Sequence, residues 1–242
     1  MKSGSFKLIT LLYNIFMDIF YPKRCIICNS FINIGKSICI CRDCEPVLKK
    51  QGSVDRDNSK CFEEVVAALE YKDNVKEAMT QYKFRNLKYY NKTFAYVIYN
   101  KIKDREFLNS ISCLCPVPIH PLREREYNQS ALVADVLSEY TSIPCYPDML
   151  LKLRHLTPLS KMNFNLRKRM IKFAFDFNLK YNIEGKNICL VDDIYTSGST
   201  VDECSKILRM YGAKKVYVLS ACYVTKKETG GSKNADTDIA NM

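Results

Sequence analysis

Histidine is scarce in this chain, which has only two in 242 residues, His120 and His155. His120 lies in a proline-flanked stretch and His155 in a basic one, and neither stands in the pattern of a nucleophile with its base. The sequence also shows no Ser-His-Asp set and no carboxylate dyad. These absences disfavour covalent catalysis and favour a protein that works by positioning and electrostatic stabilisation.

The chain also lacks an apolar run long enough to span a bilayer. Asn14 and Asp18 interrupt the apolar residues 6–20, and no small-residue cleavage site follows, which argues against a secretory signal peptide. The apolar residues there follow the spacing of one helical face: Leu8, Leu11, Leu12, Ile15, Phe16 and Ile19. We predict an amphipathic helix over residues 1–21 that packs on the protein's own body, with membrane association as the alternative.

Acidic residues are fewer than basic ones, 26 against 37, and the formal net charge is +11. Residues 152–172 contain seven Lys or Arg and no acid. This excess predicts a polyanionic partner, which would be a phosphorylated metabolite, a nucleic acid or an anionic membrane surface. Residues 72–105 form a second basic run. A solvated helix face or loop is the alternative for each of the two runs.

The twelve cysteines are unevenly placed, and five lie between residues 25 and 44. Two Cys-x-x-Cys pairs, Cys25 with Cys28 and Cys41 with Cys44, have the spacing of a tetrahedral Zn²⁺ site. Four thiolates leave no position open for water, so the pattern predicts a structural zinc. Cys39 is an alternative to Cys41, and unmetallated cysteines are the alternative to the site. Most other cysteines lie in apolar runs, as in a protein of the reducing cytoplasm, where we expect this one.

Strand and helix patterns alternate after residue 61. Apolar runs predict strands at 62–71, 111–117, 188–191 and 215–223, and helical periodicity predicts helices at 75–84, 90–102, 127–140 and 200–211. This order implies parallel strands with right-handed crossovers, which is an open α/β sheet. We therefore divide the chain into a cysteine module at 22–50, a polar linker at 51–60, an α/β domain at 61–225 and a disordered tail at 226–242.

The strand at 188–191 is followed by a segment suited to a sugar phosphate. Asp192 and Asp193 can accept hydrogen bonds from sugar hydroxyls at the strand's carboxyl end, where open α/β sheets bind ligands. A tight turn at Gly198 would let backbone N–H groups converge on a phosphate. The predicted phosphate-binding residues are Thr196, Ser197, Gly198, Ser199 and Thr200. The alternative is an ordinary turn in which Ser199 caps the next helix and Asp202 completes a capping box.

Two stretches resemble known families. Residues 190–200, LVDDIYTSGST, resemble the phosphoribosyl pyrophosphate motif of type I phosphoribosyltransferases. Residues 113–137, CLCPVPIHPLREREYNQSALVADVL, resemble the P-V-P strand and R-G-F/Y-N-Q helix of the ComF family. The resemblance implies a type I phosphoribosyltransferase-like open parallel sheet with a small N-terminal zinc-ribbon-like module.

The resemblance also implies roles for individual residues. Asp192 and Asp193 would be the catalytic pair that binds the ribose diol, with Mg²⁺ bridging pyrophosphate and ribose hydroxyls. The residues that would approach pyrophosphate are Arg125, Asn128 and Gln129. Three positions depart from the family pattern, and they predict weaker contacts with pyrophosphate and less certain turnover: Glu126 instead of Gly, Leu159 instead of Gln and Met170 instead of Asn.

The first function hypothesis is a ComF-like protein that binds phosphoribosyl pyrophosphate or a related sugar phosphate and transfers the phosphoribosyl group. The family's link to natural competence gives the second, a single-stranded DNA-binding protein of DNA uptake with little or no transferase activity, working with competence or recombination proteins. Lys83, Arg85 and Lys88 would contact DNA phosphates. The aromatic residues among them are Tyr82, Phe84, Tyr89, Tyr90 and Phe94. Stacking on bases is one role for these rings, and packing in the core is the alternative.

Overall fold

The computed structural model describes residues 16, 20, 22–50, 52–55, 59–119, 127–152 and 174–225. In chain order, its strands are β1 Ser53–Asp55, β2 Val65–Glu70, β3 Cys113–Pro116, β4 Leu150–Lys152, β5 Phe175–Phe177, β6 Asn187–Tyr195 and β7 Lys215–Tyr223. The helices are α1 Glu45–Lys50, α2 Asp73–Phe84, α3 Tyr90–Ile102, α4 Gln129–Thr141 and α5 Ser199–Met210, with a 3₁₀ turn at Glu106–Ser110.

Five strands form the central sheet in the order β1-β2-β7-β6-β3. The pairs β2–β7, β7–β6 and β6–β3 are parallel, and only β1 is antiparallel to its neighbour. β7 lies between two parallel neighbours, and its residues from Val216 to Cys222 are buried. This continuous apolar run is typical of a parallel strand that is covered on both faces.

Each face of the sheet has its own layer. One face packs against α2, α3 and α4, through a core that includes Val191 and Leu219. The other packs against α5 and the antiparallel hairpin of β4 and β5, through a core that includes Leu190 and Val218. The alternation of neighbouring residues between the two cores follows the two-residue period of a strand.

The cysteine module is part of the first core. The buried residues Cys25, Ile26, Cys39 and Leu48 belong to the same cluster as α2 and α3. The Cys39 N–H donates to Thr93 Oγ1 of α3 at 2.9 Å. The module is therefore tied to the helical layer by both apolar packing and a buried hydrogen bond.

The α/β class, the parallel sheet and the N-terminal cysteine module are confirmed. The linker predicted at 51–60 is wrong in part, because residues 53–55 pair with β2 as an edge strand. Polar residues are tolerated there, since an edge strand has a neighbour on one side only. β6 is longer than predicted and runs to Tyr195, because β7 continues beside it as far as Tyr223.

Several predicted segments lie outside the described residues, including the tail at 226–242 and most of the helix at 1–21. Phe16 and Phe20 are helical and mostly exposed, so the expected packing on the protein's body is not seen at these two positions. In the described part of the chain, no helix has both the length and the apolar character needed to cross a membrane.

Candidate sugar-phosphate site and metal cluster

The predicted acid pair lies at the carboxyl end of β6. Asp192 is in register with Ser220 of β7, and Ile194 is in register with Cys222, so both acids are strand residues. The sequence analysis put both acids after the end of the strand. In the structure they are instead among the last residues of β6. The ends of α2, α4 and α5 surround this point of the sheet, through Lys83, Ser130 and Ser199.

Asp193 forms an ion pair with a lysine from α2. Lys83 Nζ lies 2.8 Å from Asp193 Oδ2, and the two side chains are only 11% and 15% exposed. Lys83 is predicted above as a DNA contact, but its ammonium is directed inward to this carboxylate. The expected surface role does not fit a lysine in this position.

Asp192 forms no such ion pair with any of the described residues. Its Oδ1 accepts hydrogen bonds from the Asp193 N–H at 2.9 Å and from Ser130 Oγ at 3.5 Å. Burial and the negative charge of Asp193 raise the pKa of Asp192 to about 7, although Lys83 and the two hydrogen bonds act in the opposite direction. The acid pair therefore joins one carboxylate that is paired with a lysine to one whose pKa is raised by burial and by its neighbour.

The loop after β6 makes the predicted tight turn. Gly198 has a φ of +73°, and a Cβ built there would lie 2.8 Å from Tyr195 Oη. Only glycine satisfies both the left-handed backbone and the close ring. Among the described residues, the N–H groups of Thr196, Ser197, Gly198 and Thr200 have no hydrogen-bond acceptor. These donors lie in the turn that leads into the first residues of α5.

The capping-box alternative is wrong. α5 begins at Ser199, with Gly198 as its N-cap and no capping side chain. Asp202 instead accepts the Cys61 N–H at 2.8 Å and pairs with Lys206 at 2.5 Å. The loop geometry is thus set by the glycine, and Asp202 fastens α5 to the chain ahead of β2.

Asn128 and Gln129 are used inside the protein. Asn128 caps α4 by accepting from the N–H groups of Ser130 and Ala131, and its Nδ2 donates to Val117 O at 3.0 Å. Gln129 is fully buried, and its Nε2 donates to Lys83 O at 3.3 Å. These bonds correct the predicted pyrophosphate contact of Gln129, because a buried side chain bonded to α2 cannot face a ligand. Arg125, Glu126, Leu159 and Met170 lie outside the described residues.

Sequence reasoning missed two members of this site, the Lys83 partner of Asp193 and the Ser130 partner of Asp192. Lys83 was selected only for its charge, because no spacing relates the end of α2 to the end of β6. Ser130 follows the N-Q pair directly, and its place in the first turn of α4 was the only available signal.

The four predicted zinc ligands converge. The Sγ atoms of Cys25, Cys28, Cys41 and Cys44 all lie within 4.8 Å of one another, a set that could hold a metal ion. The Cys41 N–H lies 3.4 Å from Cys25 Sγ, a backbone contact to a ligand atom. Cys39 is outside the set, and its side chain is fully buried in the core. Hydrogen bonding by Ser30 lowers the pKa of the Cys28 thiol to about 6.

The other predicted DNA contacts lie near the turn between α2 and α3. Arg85 and Lys88 are exposed, and Lys88 Nζ lies 5.0 Å from the Tyr127 ring centroid. Core packing, the alternative for the aromatic residues, is confirmed for three of the five: Tyr82, Tyr90 and Phe94. Phe84 remains 46% exposed.

The chain is similar to three curated relatives. Competence protein F of Haemophilus influenzae is 24% identical over 221 residues, which cover 82% of this chain and 96% of that protein. Competence protein ComFC of Bacillus subtilis is 27% identical over 178 residues, covering 70% and 65%. DNA utilization protein YhgH of Escherichia coli is 33% identical over 98 residues, covering 40% and 42%. No protein-family model matches the chain.

The solved structures that resemble it include glutamine phosphoribosylpyrophosphate amidotransferase from Bacillus subtilis. That match has a TM-score of 0.40 and 21% identity, covering 54% of this chain and 26% of the other. A purine phosphoribosyltransferase from Pyrococcus horikoshii matches with a TM-score of 0.33 and 11% identity, covering 58% and 90%. The match to Competence protein F covers most of both chains, and together with the match to ComFC it supports the resemblance to the ComF family.

Proposed function

We propose that this protein binds a phosphoribosyl compound, phosphoribosyl pyrophosphate or a related sugar phosphate, at the carboxyl edge of its sheet. Asp192 and Asp193 would hold the ribose diol, and residues 196–200 would hold the 5′-phosphate. The observation that carries the proposal is the turn at Gly198, where N–H groups that have no acceptor among the described residues lie directly beyond two carboxylates.

Two features favour a phosphate at this turn. A backbone N–H is a strong donor that requires an acceptor, and several such groups around one glycine form a concave anion site. The turn also opens α5, a helix of 12 residues whose N-terminal end carries partial positive charge. Ser197 Oγ and Ser199 Oγ, 2.9 Å apart, add hydroxyl groups on the exposed side of the turn.

The acid pair suits a sugar better than a second phosphate. Ionised carboxylate oxygens only accept hydrogen bonds, and adjacent hydroxyl groups of a ribose supply matching donors. Oxygen donors of this kind also match Mg²⁺, but Asp193 is already paired with Lys83. A magnesium ion bound with the ligand would neutralise charge on the leaving group, while the acid pair holds the ribose hydroxyls.

In a transfer reaction, an acceptor nucleophile would displace pyrophosphate at the anomeric carbon through an oxocarbenium-like state. The protein's part is to hold the ribose and the 5′-phosphate at fixed positions while that bond breaks. The Asp193 carboxylate would face the positive charge that develops on the sugar. The basic residues after Leu151 would stabilise the departing pyrophosphate.

The cysteine cluster would hold a structural zinc. Four thiolates in two knuckles fit the tetrahedral geometry of Zn²⁺ and leave no open coordination position. Three of the four ligands belong to the core on the α2–α4 face or pack against it. Metal binding would thus be coupled to the stability of that face.

A second candidate function is binding of single-stranded DNA, which the exposed surface at the end of α2 favours. Phe84, Arg85 and Lys88 are exposed there, and Lys88 lies against the Tyr127 ring. Such a surface offers a ring for base stacking and cations for phosphates. It contacts the sugar-phosphate site through α2, so both activities are compatible in one molecule.

The first prediction tests the acid pair. Changing Asp192 and Asp193 together to Asn should weaken binding of Mg²⁺–phosphoribosyl pyrophosphate at least about tenfold, since a hydrogen bond to a charged group contributes about 1.5–3 kcal/mol. Isothermal titration calorimetry measures the affinity. The matched control, Asp104→Asn with Glu106→Gln, neutralises two acids that lie beyond α3 and beside the first residues of β7, which starts at Lys215. Equal affinity of the acid-pair variant and the native protein would contradict the proposal.

The second prediction tests the turn. Gly198→Ala should abolish phosphate binding, because its Cβ would meet Tyr195 Oη and force the N–H groups apart. Gly185→Ala is the control, since Gly185 also has a positive φ, +69°, but no atom within 4 Å of the added Cβ. Both variants carry backbone strain of about 1–2 kcal/mol. Loss of phosphate affinity to the same degree in both, measured by titration, would show that strain and not the turn is responsible.

The third prediction concerns the metal. Cys41→Ser should lose the zinc that the native protein retains through gel filtration, because only three thiolates remain. Cys39→Ala should keep its zinc, since Cys39 lies outside the cluster. Colorimetric release of zinc by a thiol reagent gives the content of each protein. Full zinc in the Cys41 variant would rule out the assigned ligand set.

The fourth prediction separates the second candidate function from the first. Arg85→Ala with Lys88→Ala should lower affinity for a single-stranded oligonucleotide and make its salt dependence less steep by about two phosphate contacts. Lys103→Ala with Lys214→Ala removes the same charge from exposed sites elsewhere. Fluorescence anisotropy over a salt series measures both. If both double variants lost the same affinity for the oligonucleotide, the loss would be an effect of net charge and would not support a binding surface at Arg85 and Lys88.

A further inference from the structure

We infer that Lys83 is a positioning residue of the sugar site: its ammonium is the built-in counter-ion that holds the Asp193 carboxylate in place and oriented toward the ribose diol. This inference rests on the proposed function, because it assigns a part within the same site. Neither the motif of twin acids nor the turn at Gly198 includes this residue.

The burial of the pair is the first support. Lys83 and Asp193 are 2.8 Å apart and almost covered by protein. The lysines of three other ion pairs, Lys72–Glu70, Lys180–Asp148 and Lys206–Asp202, are all more than half exposed. Exposed pairs are screened by solvent and are weakly coupled, whereas a desolvated pair depends strongly on both partners.

The anchoring of the chain around Lys83 is the second support. Gln129 Nε2 donates to Lys83 O, and Tyr82 OH donates to Gln129 O at 2.9 Å. Tyr127 OH donates in turn to Tyr82 O. These bonds fasten the last turn of α2 to the start of α4, so the ammonium has a fixed origin beside β6. A lysine in the last turn also benefits from the negative end of the helix dipole.

The charge of the ligand is the third support. Two adjacent carboxylates repel each other, and they also repel the phosphates of a phosphoribosyl compound. When both carboxylates are ionised, the Lys83 ammonium brings the net charge of the three groups to −1, compared with −2 for the carboxylates alone. Asp193 can therefore remain a pure acceptor for sugar hydroxyls without driving the anionic ligand away.

Calorimetric titration with two probes tests this role. Mg²⁺–phosphoribosyl pyrophosphate has the diol and the phosphates, whereas inorganic phosphate can occupy only the turn. Lys83→Met should lower the affinity for Mg²⁺–phosphoribosyl pyrophosphate about tenfold, because a desolvated charge pair is lost. Its affinity for inorganic phosphate should stay within about twofold of the native value. Lys83→Arg, which keeps the charge, should restore most of the affinity. Lys76→Met, on the exposed side of α2, is the control and should bind both probes as the native protein does.

A double-mutant cycle shows whether Lys83 acts through Asp193. The Lys83→Met/Asp193→Asn protein replaces the pair by two neutral side chains, so it leaves no buried unpaired charge even if Lys83→Met alone does not fold. It should bind phosphoribosyl pyrophosphate no more weakly than Asp193→Asn alone. A further tenfold loss in the double variant would overturn the inference, as would equal weakening of both probes in Lys83→Met, which marks a merely structural role. Absence of binding to the native protein would instead reject the proposed function, and this inference with it.

Discussion

Two carboxylates on consecutive residues have to be accommodated at the end of a buried parallel strand, and the surrounding structure meets this constraint. Asp193 is neutralised by Lys83, while Asp192 depends on the hydroxyl of Ser130 and one backbone N–H. Repulsion and desolvation still act on Asp192, which is why its pKa is raised. Such an arrangement is costly for folding alone, and charge of this kind concentrates at functional sites.

Three of the helices around the sheet have an end beside the acid pair or at the turn that follows it. α2 brings Lys83, α4 brings Ser130, and α5 begins at the turn whose N–H groups have no acceptor in the described part of the chain. The side chains of Asn128 and Gln129, which look like ligand contacts in the sequence, are used inside the protein: Asn128 joins the start of α4 to Val117 after β3, and Gln129 joins it to the end of α2. The site is therefore shaped by hydrogen bonds between secondary elements, and its donors are largely backbone groups.

The elements themselves were predictable because their apolar patterns are strong. The ranges of α3 and β7 match the periodicity of the sequence, and the paired Cys-x-x-Cys spacing indicated the cluster. Gly198 was predictable too, since few other residues permit that turn. The Lys83–Asp193 pair was not, because it joins two residues far apart in sequence, one on the helix that follows β2 and one on β6, and strands β2 and β6 are separated in the sheet by β7. The choice of Cys41 over Cys39 was equally hidden, since it depends on which side chain faces the core.

One hydrogen bond joins the cysteine cluster to α2, the helix that also carries the lysine partner of Asp193. Asn74, in the first turn of α2, donates its side-chain amide to the carbonyl of Ile27, inside the first knuckle. α2 then runs for 12 residues, about 18 Å, and ends beside the acid pair. α2 thus connects the first cysteine knuckle at one end with the acid pair at the other. A displacement of the knuckle at Ile27 would therefore be passed along α2 to the Lys83 ammonium beside Asp193.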